Sequence, residues 1–263
     1  MPTQLKPALR TMLNQCEFRF YEELNAFLPP ALRKRSFAYR FNGTPAVKDP
    51  IEALGVPHTE VDLILVDGAS VEFVHRLRGG ERVAVYPVFE RFELAGVTRL
   101  RPVQLREPRF VLDVHLGRLA RYMRLLGFDC LYRNDYPDEE LVAISRDEHR
   151  IVLTRDTGLL KRAEVTHGAF VRAQDPRQQL REVLDRFQLH GRIAPFSRCG
   201  RCNGMLSRLA TDDALRMVPP AVAQKHDEFR HCVQCGQVYW PGTHLQRFRG
   251  RLADVGIPAG AWR

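Results

Sequence analysis

The chain has 263 residues, 44% of them hydrophobic, which excludes a disordered polymer and leaves room for two or three modest domains. A net charge of +9 suits a polyanionic partner, although an arginine-rich soluble surface would give the same excess. No apolar run is long enough for a bilayer and no apolar core follows Lys6 and Arg10, so a soluble, cytoplasmic protein without a membrane partner is expected.

The first region is expected over residues 15–95. Glu17-Phe-Arg-Phe-Tyr21 and Phe37-Ala-Tyr-Arg-Phe41 alternate polar and apolar residues as half-buried strands do, and Asn42-Gly43 reads as a turn. Lys48–Leu54 reads as a short helix with Asp49 as N-cap, Pro50 at N1 and Gly55 at its end. Val61–Val66, Val71–Val74 and Arg82–Pro87 read as strands, with Asp67-Gly68 a turn between the first two. Two strands, a helix and further strands describe a small α+β grasp. It resembles the ubiquitin-like β-grasp of the sulfur-carrier type, most closely over Asp49–His58 and Asp67–Pro87. Such carriers end in a free Gly-Gly, whereas Gly79-Gly80 here precedes the last strand. The region is therefore read as a docking or substrate-positioning module with a possible protein partner. Arg91–Pro108 follows as a linker.

The second region, 109–190, alternates strand and helix: an α/β parallel sheet flanked by helices. Phe110–Leu112 is the first strand. The helix after it aligns Leu116, Leu119, Ala120, Met123 and Leu126 on one face, with Arg118, Arg121 and Arg124 pointing away and Gly127 at its end. Asp129–Tyr132, Ile151–Thr154 and Ala169–Val171 supply further strands. Asp138–Arg150 is the second helix, with Asp135 or Tyr136 near its cap, and Asp175-Pro176 opens the last, striped by Leu180, Val183, Leu184 and Phe187.

Right-handed crossovers would bring Asp113 and Asp156 to the same sheet edge, and Asp138 and Glu139 begin a helix entered from that edge. Crowded carboxylates repel one another, and one or two Mg²⁺ or Mn²⁺ ions would relieve this while activating water against a phosphodiester. Simpler roles exist for each acid. Asp138 and Glu139 also suit the positive end of a helix, and Asp113 and Asp156 could cap the helices that follow them. Arg118, Arg121 and Arg155 flank the edge as candidate phosphate ligands; for the first two the alternative is a solvated helix face, and for Arg155 a position across the sheet.

The third region, 194–250, carries Cys199-Gly-Arg-Cys202 and Cys232-Val-Gln-Cys235. Two CxxC pairs in a reducing compartment make a closed Cys₄ site for structural Zn²⁺, with Asn203 and Gly236 at positions where such turns often need positive φ. His226, His231 and His244 are alternative ligands. A basic set that includes Arg201, Arg208 and Arg249, with Phe229, Tyr239 and Trp240, could grip RNA, or the aromatics could simply form the module's core.

Leu112-Asp-Val-His-Leu-Gly-Arg-Leu-Ala-Arg121, Leu125-Leu-Gly-Phe-Asp129, Asp138-Glu-Glu-Leu141, Leu153-Thr-Arg-Asp156 and Pro195-Phe-Ser-Arg-Cys-Gly-Arg-Cys-Asn-Gly204 together resemble the C-terminal ribonuclease domain of the mut-seven exonucleases. That is a PIN-like family, often followed by a zinc ribbon and, in bacteria, often preceded by a ubiquitin-like domain. The resemblance spans about Phe18 to Arg249. It implies a PIN-like parallel sheet, a ubiquitin-like β-grasp before it and a Cys₄ zinc-ribbon module after it. It also implies a magnesium-dependent RNase with Asp113, Asp138 and Asp156 as its acidic set, and Glu139 as the nearest candidate for a fourth acid. The rival readings are an inactive RNA-binding zinc protein and a protein–protein adaptor built on the β-grasp.

Overall fold

The computed structural model describes residues 13–87, 100 and 108–253. Met1–Arg10, most of Arg91–Pro108 and the side chains of His244 and Arg249 lie outside the described residues. The chain divides into two compact units, 1–104 and 105–263.

In the first unit, strands β1 (Asn14–Phe20) and β2 (Phe37–Phe41) pair antiparallel, and helix α1 (Lys48–Ala53) follows. Strands β3 (Val61–Val66), β4 (Ala69–Ser70) and β5 (Arg82–Pro87) complete a sheet of order β2-β1-β5-β3-β4. Only β1 and β5 run parallel, which is the arrangement of a ubiquitin-like β-grasp. The alternation in β1 buries Cys16, Phe18 and Phe20 on one side, against Val83 and Val85 of β5 and Ile51 of α1. Each such side chain contributes about 1.5–3 kcal/mol by leaving water.

Three expectations here change. Asp49 is not the N-cap of α1: Val47 takes that place two residues earlier, and the Asp49 carboxylate, in the first turn, reaches back to accept from the Ala46 N–H at 3.1 Å. Val71–Val74 forms no strand. Its alternation is real, but its backbone turns to the start of α1, where Val47 donates to His75 O and Lys48 to Phe73 O. Gly79-Gly80 is bound into the fold: the Gly80 N–H donates to Gln15 O at 2.7 Å, and both glycines take positive φ.

In the second unit, β6 (Phe110–Leu112), β7 (Cys130–Leu131), β8 (Ile151–Thr154) and β9 (Gly168–Phe170) form an all-parallel sheet of order β7-β6-β8-β9. Helices α2 (Gly117–Leu125), α3 (Asp138–Glu148), α4 (Thr157–Leu160) and α5 (Pro176–Arg186) cover it on both faces. Phe110, Leu112 and Leu153 turn to α2 and α5, while Val111 and Val152 turn to α3 and α4. Strands buried on both faces need apolar residues throughout, as Ile151-Val-Leu shows. The stripe Leu116, Leu119, Ala120, Met123 and Leu126 is fully buried, as its spacing predicts.

Arg124 departs from the expected outward face. It is 5% exposed and donates to the carbonyls of Cys130 at 2.7 Å and Arg201 at 3.0 Å. Neither Asp135 nor Tyr136 caps α3. Pro137 occupies that place, and Asp138, Glu139 and Glu140 in the first turn answer the helix dipole. Asp175 does cap α5, accepting from the N–H groups of Arg177 and Gln178.

The last part of this unit is a three-stranded antiparallel sheet of β10 (Leu206–Leu209), β11 (Phe229–Cys232) and β12 (Val238–Tyr239). Between its first two strands run α6 (Thr211–Met217) and α7 (Pro220–Ala223), which pack with Leu209, Phe229 and Trp240. Trp240 thus belongs to the small core. Helix α8 (Thr243–Ala253) then returns to the parallel sheet: Leu252 is buried in the core under α2 and α5, and Phe248 meets Tyr122 at 5.2 Å between ring centroids.

Candidate active site and cysteine cluster

The strand order reverses between β6 and β8. In an open parallel sheet the crossovers on either side of such a point diverge, leaving a crevice at the carboxyl ends of the strands. Asp113 directly follows β6, and its N–H donates to Leu153 O at 3.0 Å, so it lies level with the end of β8. Thr154 closes β8 and joins the two sides. Its hydroxyl donates to Asp113 Oδ2 at 2.7 Å and accepts from the Asp156 N–H at 2.9 Å. Asp113 is nearly buried, and Asp156 is exposed at the start of α4.

Asp156 also caps α4, its Oδ1 accepting from the Gly158 N–H at 2.7 Å. Capping and a place at the crevice are compatible, because the cap uses one carboxylate oxygen. Asp138 opens α3, which leaves the carboxyl end of β7 at the same sheet edge, and it is exposed without a hydrogen-bond partner among the described residues. Glu139, beside it, forms a 3.3 Å ion pair with Arg162; the N-terminal backbone of α3 and that guanidinium hold its carboxyl below the ordinary range.

Arg118 and Arg121 sit one turn apart on the exposed face of α2. Arg155 takes the second of its two expected positions, across the sheet. Its guanidinium donates to the carbonyls of Val171, Arg172 and Ala173, tying β8 to the chain leaving β9. Thr154 was not singled out from the sequence. Its signal is a hydroxyl that ends an otherwise apolar strand two residues before an aspartate.

Among the described residues, one group of potential metal ligands has all its donor atoms within 4.8 Å of one another: Cys199, Cys202, Cys232 and Cys235. No three of the acids form such a group among the described residues. Cys199 and Cys235 are 3.7 Å apart at sulfur, and Cys202 and Cys232 are 3.3 Å apart. A tetrahedral zinc with bonds of about 2.3 Å sets sulfurs about 3.8 Å apart, whereas a disulfide needs about 2.05 Å. The two turns repeat one pattern. Asn203 and Gly236 follow the second cysteine of each pair, take φ of 71° and 69°, and donate back to Cys199 O and Cys232 O.

The thiols are unequal in the absence of a cation. Burial opposes ionisation of Cys199, but the Tyr239 hydroxyl at 3.1 Å and two backbone N–H groups draw it down to about 7. Burial and the neighbouring thiols push Cys202 up to about 12. Four thiolates cannot crowd together uncompensated, so the donor set fits a cation such as zinc.

The first turn is locked to the parallel sheet. Asn203 accepts from the Cys130 N–H at 3.0 Å and donates to Asp129 at 2.8 Å, and Asp129 also pairs with Arg150 and Arg198. Burial works against the Asp129 charge, but these donors hold its carboxyl below the usual range.

A doubly wound parallel sheet with acids at its switch point, fused to a Cys₄ knuckle pair and preceded by a β-grasp, defines a PIN-like α/β protein. The chain belongs to the Mut7-C RNase domain family, whose model matches residues 108–252, and the Mut7-C ubiquitin model matches residues 13–93. Neither a search of curated proteins nor one of solved structures gave a match. Membership points to nuclease function, to RNA as the substrate class and, through the ubiquitin-like domain, to protein interaction. No helix among the described residues is long and apolar enough to cross a membrane.

Proposed function

We propose that this protein is a metal-dependent ribonuclease that hydrolyses RNA phosphodiester bonds at the carboxyl edge of the parallel sheet. The observation that carries the reading is the Thr154 hydroxyl, which joins Asp113 to the backbone of Asp156 at the switch point. Asp113, Asp156 and Asp138 keep oxygens free of hydrogen bonds among the described residues, and Glu139 is the nearest further acid. Mg²⁺ binds through one or two carboxylates while keeping several waters, so a set looser than the cysteine cluster suits it or Mn²⁺. Asp113 and Asp156 would hold the ion; when bound it supplies an acidified water and charge for the leaving oxygen. Thr154 fixes the Asp113 carboxylate and leaves it acceptor-only toward the crevice. Asp138 orients water from the α3 side. Arg118 and Arg121 attract the substrate phosphates.

The cysteines would hold one structural Zn²⁺, suited to a reducing, cytoplasmic setting. The β-grasp would contact a protein partner; its Gly-Gly is fixed in a turn, so it is not a carrier tail.

The test is cleavage of end-labelled RNA by the full chain in Mg²⁺ or Mn²⁺. Asp113→Asn and Asp156→Asn should each lower the rate by about 100-fold or more while the protein stays folded. Salt-dependent RNA binding without any cleavage would instead identify an RNA-binding protein, and cleavage unaffected by both substitutions would remove the site.

A further inference from the structure

Several arginines of the second unit already have an acid. Arg133, Arg146, Arg150, Arg162 and Arg177 each lie within 4.0 Å of a carboxylate. Arg118, Arg121 and Arg201 are exposed, and no acid or hydrogen-bond acceptor meets their guanidinium groups among the described residues. Arg216 on α6 is equally exposed and unpaired, so it is the placement of these three beside the acidic edge that marks a surface for an outside anion.

The three are also consecutive in space. Arg118 lies in the first turn of α2, next to the carboxyl edge that holds Asp113. Arg121 is one turn further along the same exposed face, about 5 Å away along the axis. The end of α2 packs on the first cysteine turn. A Cβ placed at Gly200 would stand 3.0 Å from Leu125 Cδ2 and 3.4 Å from Arg121 Cγ, so the backbone of this turn lies close against the side chains of α2. Arg201 follows, and its own carbonyl is held by Arg124 from α2 at 3.0 Å. The backbone that carries Arg201 is thereby fixed to the same helix that carries Arg118 and Arg121.

We infer that the first cysteine turn is part of the substrate site. The backbone of a single-stranded RNA runs from the acidic edge along Arg118 and Arg121 to Arg201. This rests on the ribonuclease reading and adds to it a role for the cysteine module in substrate binding. Arg118 and Arg121, about one helical turn apart, suit successive phosphates of an extended strand, and a track of this kind binds without regard to base sequence.

The experiment measures binding apart from cleavage. The full chain carrying Asp113→Asn, with zinc bound, is titrated against a fluorescein-labelled oligouridylate by anisotropy at several salt concentrations. Arg118→Ala, Arg121→Ala and Arg201→Ala are each added to that background. Arg216→Ala is the control. It removes an equally exposed and unpaired charge from α6, which packs at the end of the β10–β11 hairpin away from the cysteines.

Each of the first three substitutions should weaken binding roughly three- to tenfold and lower the salt slope by about 0.7, as loss of one phosphate contact does on a single strand. Arg216→Ala should leave the slope unchanged, and Arg201→Lys should recover most of the affinity. If Arg118→Ala and Arg121→Ala weaken binding but Arg201→Ala does not, the ribonuclease site stands and the track through the cysteine turn is overturned. Equal losses for all four overturn it as well, since that is general charge attraction. No RNA binding by the Asp113→Asn protein at low salt overturns both readings.

Discussion

At the scale of single residues, Thr154 shows how one hydroxyl can define a site. It is fully buried and serves two groups at once, so removing it leaves the Asp113 carboxylate and the Asp156 N–H each without a partner. Thr154→Val should therefore cost about 1–3 kcal/mol of stability and depress cleavage further than that loss explains, with Thr154→Ser restoring both. Urea denaturation and cleavage rates measured on the two variants check this; a valine variant with wild-type cleavage would detach Thr154 from function. Asp113 and Asp156 could be picked out in the sequence because an acid ending an apolar run is conspicuous. Thr154 could not, because threonine is at home in any strand. Arg124 was hidden for another reason. Helical periodicity puts it with Arg118 and Arg121, and of the acceptors that draw it inward one is the Cys130 carbonyl on the next strand and another, the carbonyl of Arg201, lies 77 residues away in the chain.

Among elements, those that carry their own signal match the sequence closely. The strands Phe110–Leu112 and Ile151–Thr154 and the apolar stripe of α2 are fixed by local pattern and by burial on the sheet. Val71–Val74 fails because alternation states which side chains face inward but not which backbone they pair with. Here the partner is the start of a helix.

The turn before β5 carries a measurable consequence of its packing. Cys16 donates to Glu81 at 2.9 Å, and the N–H groups of Arg78 and Gly79 donate to the same carboxylate at 2.7 Å. Burial opposes the Glu81 charge, but these donors bring it down to about 2 from 4.5, while burial and the adjacent carboxylate push Cys16 from 9.0 up to about 11. A depressed acid stabilises the fold above its unfolded value and loses that contribution as pH falls, so the β-grasp should weaken between about pH 4.5 and 2. The raised thiol acts in the opposite sense: its contribution is intact below about pH 9 and fades as pH rises toward 11. Glu81→Gln should flatten the acid limb when unfolding of the first unit is followed by circular dichroism; an unchanged acid limb would contradict the assignment.

At the scale of the whole molecule, the chain is two compact units, and the second joins the parallel sheet to the cysteine module through Asn203, Asp129 and Arg124. Stripping zinc with a chelator should therefore reach beyond the cysteines. Hydrogen exchange should speed up at the Cys130 amide, which Asn203 protects, and remain slow at the Val85 amide in β5 of the other unit. Loss of protection that stops at the cysteine turns would show that the module and the sheet are energetically separate. This coupling was out of reach of the sequence reading, which found both cysteine pairs from their spacing but had no means of seeing that Asn203 would serve a turn and a strand edge together.

Helix α8 adds one more consequence. Its Leu252 fills the core beneath α2 and α5, though every acid of the candidate site and every cysteine lies earlier in the chain. A proteolytic nick between Cys235 and Thr243 that released this helix would spare all the proposed chemistry and yet unplug the scaffold beneath it. Such a clipped protein would still titrate with a full complement of thiols, and its defect would surface only on warming.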